Sequence, residues 1–463
     1  DEMIRSCRVF YVGGFLLLFA LFMMQGILPL NPQAMPGLAP DLAFNAAISF
    51  VTNTNWQNYS GEAALSYLSQ MAGCTVQTFL SAATGMAVAV ALFRGLARKQ
   101  TALIGNFWVD AVRGTLYILL PLALIFAIVL ASQGAVQTLK PSVHYTPFEY
   151  WEKAESATGP VRMLMPDATI AVGPAASQVA IKMLGSNGGG FFNANGAHPF
   201  ENPTPLTNVL ETIAILLIPA SILYTFGMMV GDRRQGWMLL MAMTVVLLPL
   251  LFMTVTWEES ANPRLSAIID QSAGNMEGKE VRIGAAPSAL WGVLSTATSN
   301  GSVNSMHDSF MPLSGMAPLL LMQFGEVIFG GVGAGIYGML MYVLITVFIG
   351  GLMVGRTPEY LGKKLGVKEI KIALLIIVIP PTMALFGSAL AVATEAGRAA
   401  VFNPGAQGFS EILYAFASVS NNNGSAFAGL QGNSVFYNVM FGLCMAIGRY
   451  GLIVLSLAIS GAL

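Results

Sequence analysis

The residues best placed to do chemistry in this chain are backbone amides and small polar side chains, not acids or nucleophiles. Four short strings carry them: Asn53-Thr54-Asn55-Trp56-Gln57, Ser186-Asn187-Gly188-Gly189-Gly190, Ser299-Asn300-Gly301-Ser302 and Ser420-Asn421-Asn422-Asn423-Gly424-Ser425. They recur at intervals of roughly 110 to 135 residues. Each closes a short apolar stretch of helical length and precedes a longer apolar run. Glycine permits the left-handed and extended conformations that turn carbonyls inward. Asparagine tolerates similar dihedrals and can pin a loop by side-chain hydrogen bonds. Several carbonyls facing one axis replace the hydration shell of a bare potassium ion. Alignment puts Asn55, Gly188, Gly301 and Gly424 in one layer, so the first string departs from glycine and breaks exact fourfold symmetry. Candidate ion-facing residues are therefore Thr54, Asn55, Gln57, Ser186, Asn187, Gly188, Ser299, Asn300, Gly301, Asn422, Asn423 and Gly424. Gln57 places a neutral amide at the mouth. No carboxylate falls within a string, which disfavours calcium. One such string alone reads as a polar turn; four in register after four short helices read as loops meeting at one axis.

Such loops need a membrane-embedded frame, and the composition supplies it. Of 463 residues, 55% are hydrophobic and 10% charged, with a mean hydropathy of +0.66, against about 25% charged in soluble domains. The net charge of −1 leaves no basic face for a nucleic-acid partner. Cys7, Cys74 and Cys444 are too dispersed for a disulfide framework or a metal cluster. The 26 methionines are scattered and read as packing. No His-Glu-x-x-His, no Gly-x-Ser-x-Gly and no paired aspartates within spans point to an intramembrane enzyme. The chain starts Asp1-Glu2-Met3 with no visible signal peptide, so its start reads as a cut, and its apolar end reads the same way.

The apolar runs predict an all-α polytopic membrane protein. Spanning helices are expected near 9–30, 66–93, 108–132, 207–230, 236–256, 313–354, 370–394 and 435–460. Shorter helices near 41–52, 175–186, 287–298 and 409–419 run into the four strings. A re-entrant helix followed by irregular backbone is tolerated at membrane depth only when buried in protein or lining a water path. The repeating unit is span, pore helix, loop, span, around a central pore. The four pseudo-symmetric repeats are 1–99, 100–235, 236–367 and 368–463. The sixth run is too long for one crossing and holds Gly325, Gly330, Gly331, Gly333 and Gly335. Since glycine costs about 1 kcal/mol in a helix interior, a break near Phe329–Gly335 is expected, with Glu326 beside it. Arg5 and Arg8, then Arg94, Arg98 and Lys99, then Arg233 and Arg234, then Arg356, Lys363, Lys364, Lys368 and Lys371 fall on one side and mark it as cytoplasmic. The acid-bearing loops 137–174 and 257–286 lie opposite, so the pore loops enter from outside. Those loops need soluble structure that the pattern does not assign.

Other ionisable residues read as structural. Lys182, on the second pore helix, faces polar atoms behind the loop. His198, His307 and Asp308 read as loop-fixing hydrogen bonders. Glu62 follows the first loop, where a helix N-terminal acid is the simpler role than cation attraction.

Several strings carry a resemblance. Val51-Thr-Asn-Thr-Asn-Trp-Gln57, Met183-Leu-Gly-Ser-Asn-Gly-Gly-Gly-Phe-Phe-Asn-Ala-Asn195, His198-Pro-Phe-Glu-Asn-Pro203, Met306-His-Asp-Ser309, Gly355-Arg-Thr-Pro-Glu-Tyr-Leu-Gly-Lys-Lys364 and Asn421-Asn-Asn-Gly-Ser-Ala-Phe-Ala-Gly-Leu430 are similar to the family of potassium-transporting ATPase A subunits (KdpA). The resemblance runs over essentially the whole chain. It implies membership of the superfamily of potassium transporters, and a family pattern of ten spans of which the middle eight are matched. It adds Asn195 to the ion-filter candidates. It implies that Glu326, Arg356 and Arg449 serve gating and coupling between subunits, along with the glycines 330, 331 and 333 of the break. It also implies K+ as the ion, with a P-type ATPase B subunit and small C and F subunits as partners. The setting implied is the bacterial plasma (inner) membrane. There the ion moves sideways through a tunnel to the ATPase partner. The chain has no Walker A and no Asp-Lys-Thr-Gly string, so ATP chemistry is expected elsewhere in the complex. The competing readings are a stand-alone potassium channel and an ion-coupled potassium transporter.

Overall fold

A computed structural model of the chain describes residues 2–98, 103–147, 150–153, 161–164 and 167–463. Lys99 and the expected repeat boundary at 99/100 lie outside the described residues. Among those described, eight helices are long and apolar enough to cross a membrane. In chain order they are α1 (Glu2–Ile27), α3 (Ser69–Ala97), α4 (Phe107–Ser132), α6 (Pro205–Met229), α7 (Arg233–Glu258), α10 (Ala334–Met353), α11 (Val367–Ala393) and α13 (Val435–Ala462). Four shorter helices, α2 (Pro40–Val51), α5 (Ala175–Leu184), α8 (Ala285–Ala297) and α12 (Ala406–Asn421), sit between the two spans of each unit. A further short helix, α9 (Pro312–Gln323), is the outer half of the sixth run.

Burial separates the roles of the spans. In α3, 78% of the most apolar window is buried, against 22% in α1, α4 and α7. The exposed faces carry large apolar side chains such as Leu17, Tyr117 and Phe252, as lipid contact requires. Each pore helix packs between the spans of its own unit, and α13 of the fourth unit packs on α2 and α3 of the first. The four units thus close into a ring, each pore helix directed inward by the two spans that flank it.

The sixth run breaks earlier than its glycine spacing predicts. Helix α9 ends at Gln323 and α10 begins at Ala334, so Glu326 lies inside the break and Gly335 inside the following helix. The cause is a succession of positive φ values at Gly325, Glu326, Phe329, Gly330 and Gly333, which no helix accommodates. The break nests against α3: a Cβ at Gly85 would collide with the Val332 carbonyl, and one at Gly333 with the Gly85 carbonyl. α13 carries a π-helical turn at Ile447–Gly451. The extra residue presses Gly448 on the Ser420 carbonyl and turns Arg449 inward, where its guanidinium donates to the Ser81 carbonyl at 3.3 Å.

The long loops opposite the basic connections hold structure of their own. β1 (Val143–Tyr145) pairs antiparallel with β4 (Ala168–Ile170), and β2 (Tyr150–Lys153) with β3 (Val161–Leu164). The other loop is anchored by a buried ion pair, Lys279 Nζ to Glu258 at 2.7 Å, and Asn275 donates to the same carboxylate at 2.9 Å. His307 ties the third unit to the fourth pore helix through Nδ1 and the Tyr414 hydroxyl, 2.9 Å apart.

Burial, helped by the Lys279 ammonium, lowers the His307 imidazole to about 4. The folded protein therefore binds this proton less readily than the unfolded chain. Stability is full above the ordinary value near 6.5 and falls as pH drops from there to about 4, by about 3 kcal/mol in total. The thermal midpoint in detergent should decline over that window, and His307→Gln should flatten the decline. An unchanged slope in His307→Gln would assign the acid sensitivity to other groups.

Candidate functional site

The four strings meet, and they do so with one repeated backbone design. In each string two residues separated by one adopt positive φ: Asn53 and Asn55, Ser186 and Gly188, Ser299 and Gly301, Asn422 and Gly424. Alternation of positive and negative φ turns successive carbonyls to one side, where an ordinary strand sends them to opposite sides. The residue between each pair donates its N–H to a pore-helix carbonyl five residues earlier. Thr54 bonds Ser49 at 3.0 Å, Asn187 bonds Lys182 at 3.0 Å, Asn300 bonds Ser295 at 2.9 Å and Asn423 bonds Ser418 at 2.9 Å. The donors of each loop are thus answered by the last turn of its own helix. Helix C-termini carry about half a negative charge each, and four of them converge here.

Ring order follows from the glycines. A Cβ on Gly188 would collide with the Asn300 carbonyl, one on Gly301 with Asn423 and one on Gly424 with Thr54. Each loop therefore rests its glycine on the next loop's backbone. The first unit has Asn55 instead, and the room comes from its neighbour: the Asn55 Cβ lies 2.7 Å from where a Cβ of Gly189 would stand. The departure from fourfold glycine is compensated across the ring.

Side chains lock adjacent loops. Asn53 Nδ2 donates to the Ser186 carbonyl at 2.7 Å, and its Oδ1 accepts from Asn187 at 2.6 Å and Ser81 at 2.8 Å. Asn422 Nδ2 donates to Thr54 Oγ1 at 2.8 Å and to the Met445 carbonyl at 2.9 Å. Asn300 Nδ2 reaches the Lys182 carbonyl at 2.9 Å, and Ser299 Oγ donates to the Asn422 carbonyl at 3.1 Å. Gln57 accepts the Gly190 N–H at 3.0 Å. Among the described residues, the carbonyl oxygens of Asn55, Gly301 and Gly424 have no hydrogen-bond donor; Gly188's accepts from Asn195 Nδ2 at 2.7 Å.

Above the ring opens a cavity of about 970 Å³, with Asn55, Gly188, Gly301 and Gly424 at its floor and Gln57, Asn58, Asn304 and Asn433 on its walls. Lys279 and Glu280 also line it, but the Lys279 ammonium is buried in its pair with Glu258, so the vestibule is mainly one of neutral amides. Beneath the ring lies the break: the Gly330 N–H bonds the Ala297 carbonyl at 2.9 Å, and Gly331 stands against Ser299. Glu326, 3% exposed, has no hydrogen-bond partner on either carboxyl oxygen and lies near Ser299, Asn423 and Arg449. Among the described residues it forms no ion pair with Arg449. Arg356 is the outlier among the expected site residues. It lies exposed on the connection after α10, on the side opposite the vestibule.

Loop-fixing roles hold for the minor ionisable residues. His198 stacks on Phe192 with centroids 3.8 Å apart and accepts the Phe200 N–H at 3.1 Å. Asp308 accepts from Asn403 at 3.2 Å. Glu62 accepts the Asn193 N–H at 2.9 Å, and burial pushes its carboxyl up. Glu201 and Glu211 are among the buried acids that carry no mark in the sequence pattern. Glu201 forms an ion pair with Lys182, both side chains fully buried. Glu211, in α6, is fully buried with neither carboxyl oxygen bonded. A buried lysine on a pore helix demands a carboxylate, and that demand was the available signal for Glu201.

Comparison with known proteins follows the same lines. Residues 2–463 match the profile of the KdpA family, described as the potassium-transporting ATPase A subunit. A potassium-transporting ATPase potassium-binding subunit from Methylococcus capsulatus is 56% identical, covering 98% of this chain and 79% of its own. Proteins of the same name from Herpetosiphon aurantiacus and Sorangium cellulosum are 57% and 58% identical over 98% of this chain and 79% and 78% of theirs. The crystal structure of the potassium transporter TrkH from Vibrio parahaemolyticus superposes with a TM-score of 0.59 at 15% identity, covering 95% of this chain and 83% of that one. At that identity the likeness is one of fold.

The locking amides give a direct expectation. Asn53→Ala takes the donor from the buried Ser186 carbonyl and leaves Asn187 and Ser81 bonded to each other without their shared acceptor, at about 1–3 kcal/mol for each group left unsatisfied. It should lower the thermal midpoint clearly more than Asn193→Ala, whose side chain is exposed. Equal midpoints would mean that Asn53 does not hold the loops together.

Proposed function

The chain belongs to the family of potassium-transporting ATPase A subunits, and from that premise we propose that it is the potassium-binding and translocating component of an ATP-driven uptake complex. The observation that carries this reading is the ring itself: four loops with matched backbone, their N–H groups answered from behind and three of their four central carbonyls free of any donor among the described residues. Such a ring can replace the water around a bare potassium ion. In this reading Thr54, Asn55, Gln57, Ser186, Asn187, Gly188, Asn195, Ser299, Asn300, Gly301, Asn422, Asn423 and Gly424 form the filter.

Direction follows from charge. Arg94, Arg98, Arg233, Arg234 and the basic run from Arg356 to Lys371 lie on connections between units, opposite the pore helices. With basic connections cytoplasmic, the filter opens outward from a bacterial inner membrane. Moving potassium uphill costs about 1.4 kcal/mol per tenfold gradient, and the site holds no group that could supply it. We assign the energy to a P-type ATPase B subunit, joined in the complex by C and F subunits. The break at 324–333, under the filter, supports a blocked straight path and a sideways exit, with Glu326 and Arg449 beside it and Arg356 toward the partner side. The repeats 1–99, 100–235, 236–367 and 368–463 are the units of this design.

The filter assignment is tested by Gly188→Asp in the assembled complex. The added side chain meets the Asn300 backbone, and the added charge faces the ion. Discrimination of potassium from sodium and rubidium should collapse while the complex still assembles; wild-type discrimination would defeat the assignment. In Gln57→Arg, a cation at the mouth opposes potassium entry by several kcal/mol where water is scarce and by less where it screens. The half-saturating potassium concentration should rise by at least about tenfold; no change would place Gln57 off the ion path. Removing residues 329–333 should open a potassium leak in proteoliposomes that no longer needs ATP. If the shortened complex assembles and remains tight without ATP, the break is a bend and not a plug. Potassium flux through the purified chain alone, without ATP or partners, would instead favour a stand-alone channel.

A further inference from the structure

The four pore-helix positions that answer the loop N–H groups are Ser49, Lys182, Ser295 and Ser418. Three are serines, whose hydroxyls stay local. Ser295 Oγ donates to the Ser302 carbonyl at 2.6 Å, and Ser418 Oγ accepts the Gly424 N–H at 3.0 Å. The fourth is a lysine, fully buried behind the loop. Its Nζ pairs with Glu201 and donates to Asn195 Oδ1 at 2.7 Å. Glu201 is itself fixed, accepting the Phe192 N–H at 2.9 Å.

An ammonium has donors and no acceptor, so Asn195 can meet it only with its oxygen. That oxygen also takes the Gly196 N–H at 2.9 Å. The Asn195 amide is thereby oriented, and its Nδ2 must face the other way. What it faces is the Gly188 carbonyl, at 2.7 Å. Of the four oxygens in the central layer, this is the one with a donor among the described residues.

We infer that Lys182, acting through Asn195, is a positioning residue for ion selectivity. It fixes the Asn195 amide so that a hydrogen bond both holds the Gly188 carbonyl in place and draws electron density from it. The inference rests on the filter reading above. A cation on the amide oxygen polarises the amide and strengthens its N–H as a donor. The Gly188 oxygen then offers a weaker field than its three neighbours. A ring of weaker-field oxygens compensates poorly for the hydration that a small ion gives up, so it disfavours sodium more than potassium. Without the ammonium the Asn195 amide is free to turn its oxygen toward Gly188, and the carbonyl is released from its donor.

The test uses the complete ATPase complex and the half-saturating concentrations of potassium and sodium for stimulating ATP hydrolysis. Lys182→Met combined with Glu201→Gln removes both charges together and leaves no lone buried ion. Its sodium-to-potassium ratio of half-saturating concentrations should fall by at least about fivefold. Asn195→Leu should shift the ratio in the same direction, and adding it to the double variant should give little further change, because the residues act in series. A brace with no role in selectivity would reduce stimulation by both ions alike and leave the ratio unchanged. Should the double variant fail to assemble, Asn195→Asp decides: it keeps a partner for Lys182 but takes the donor from Gly188, and the ratio should again fall. An unchanged ratio in these variants, with Gly188→Asp altering it, overturns the inference and leaves the filter intact. An unchanged ratio in Gly188→Asp as well removes the filter reading and this inference with it.

Discussion

At membrane depth a backbone group without a partner costs several kcal/mol, and the rest of this structure is arranged around that constraint. The four loops satisfy it unevenly. Their N–H groups are bonded by the carbonyls of Ser49, Lys182, Ser295 and Ser418. Their own central carbonyls, at Asn55, Gly301 and Gly424, face no donor among the described residues. Donors answered and acceptors left open is the condition that a desolvated cation completes. The half-length pore helices exist to bring those four carbonyl acceptors to the loops, and the buried second spans exist to hold the pore helices at that depth. Left-handed backbone at alternate positions is what lets one short segment both receive support from behind and present oxygens in front.

Fourfold pseudo-symmetry sets the frame, and each unit departs from it in a way that bears on the ring or the space beneath it. In the first, Asn55 replaces glycine and Gly189 of the neighbouring loop gives it space. In the second, Lys182 replaces serine and brings in Asn195 and Glu201. In the third, the second span breaks over 324–333 beneath the ring. In the fourth, a π-helical turn directs Arg449 inward. A symmetric ring would bind an ion equally from all sides and pass it straight through. The third and fourth departures lie below the ring, where the proposed function puts the turn of the ion's path; the first and second lie at the ring, where it puts the choice of ion.

Much of this was legible in the sequence because it depends on local rules. A run of some 20 apolar residues announces a span, and the eight spans lie where hydropathy puts them. Repeated Asn/Gly strings after short helices announce re-entrant loops, and the layer of Asn55, Gly188, Gly301 and Gly424 carries positive φ in all four units. The limits of the sixth-span break were less legible. Glycine content marked its centre, but Glu326 and Phe329 also adopt positive φ, which their residue types do not favour; the segment is held by Gly330 on the Ala297 carbonyl and Gly333 against Gly85 of α3. The Lys182–Glu201 pair and the Glu258–Lys279 anchor join residues about 20 positions apart in sequence through three-dimensional packing. The π-helical turn at Arg449 has no composition signal; it shows only in the packing that sets Gly448 against the Ser420 carbonyl.

The central claim is that the four loops together hold a dehydrated potassium ion. Anomalous or difference density from rubidium or thallium, collected on the assembled complex, tests it most directly. The account predicts a peak on the ring axis at contact distance from the carbonyl oxygens of Asn55, Gly188, Gly301 and Gly424, lost when sodium replaces the heavier ion. An empty axis, with the ion density found elsewhere in the chain, would contradict it.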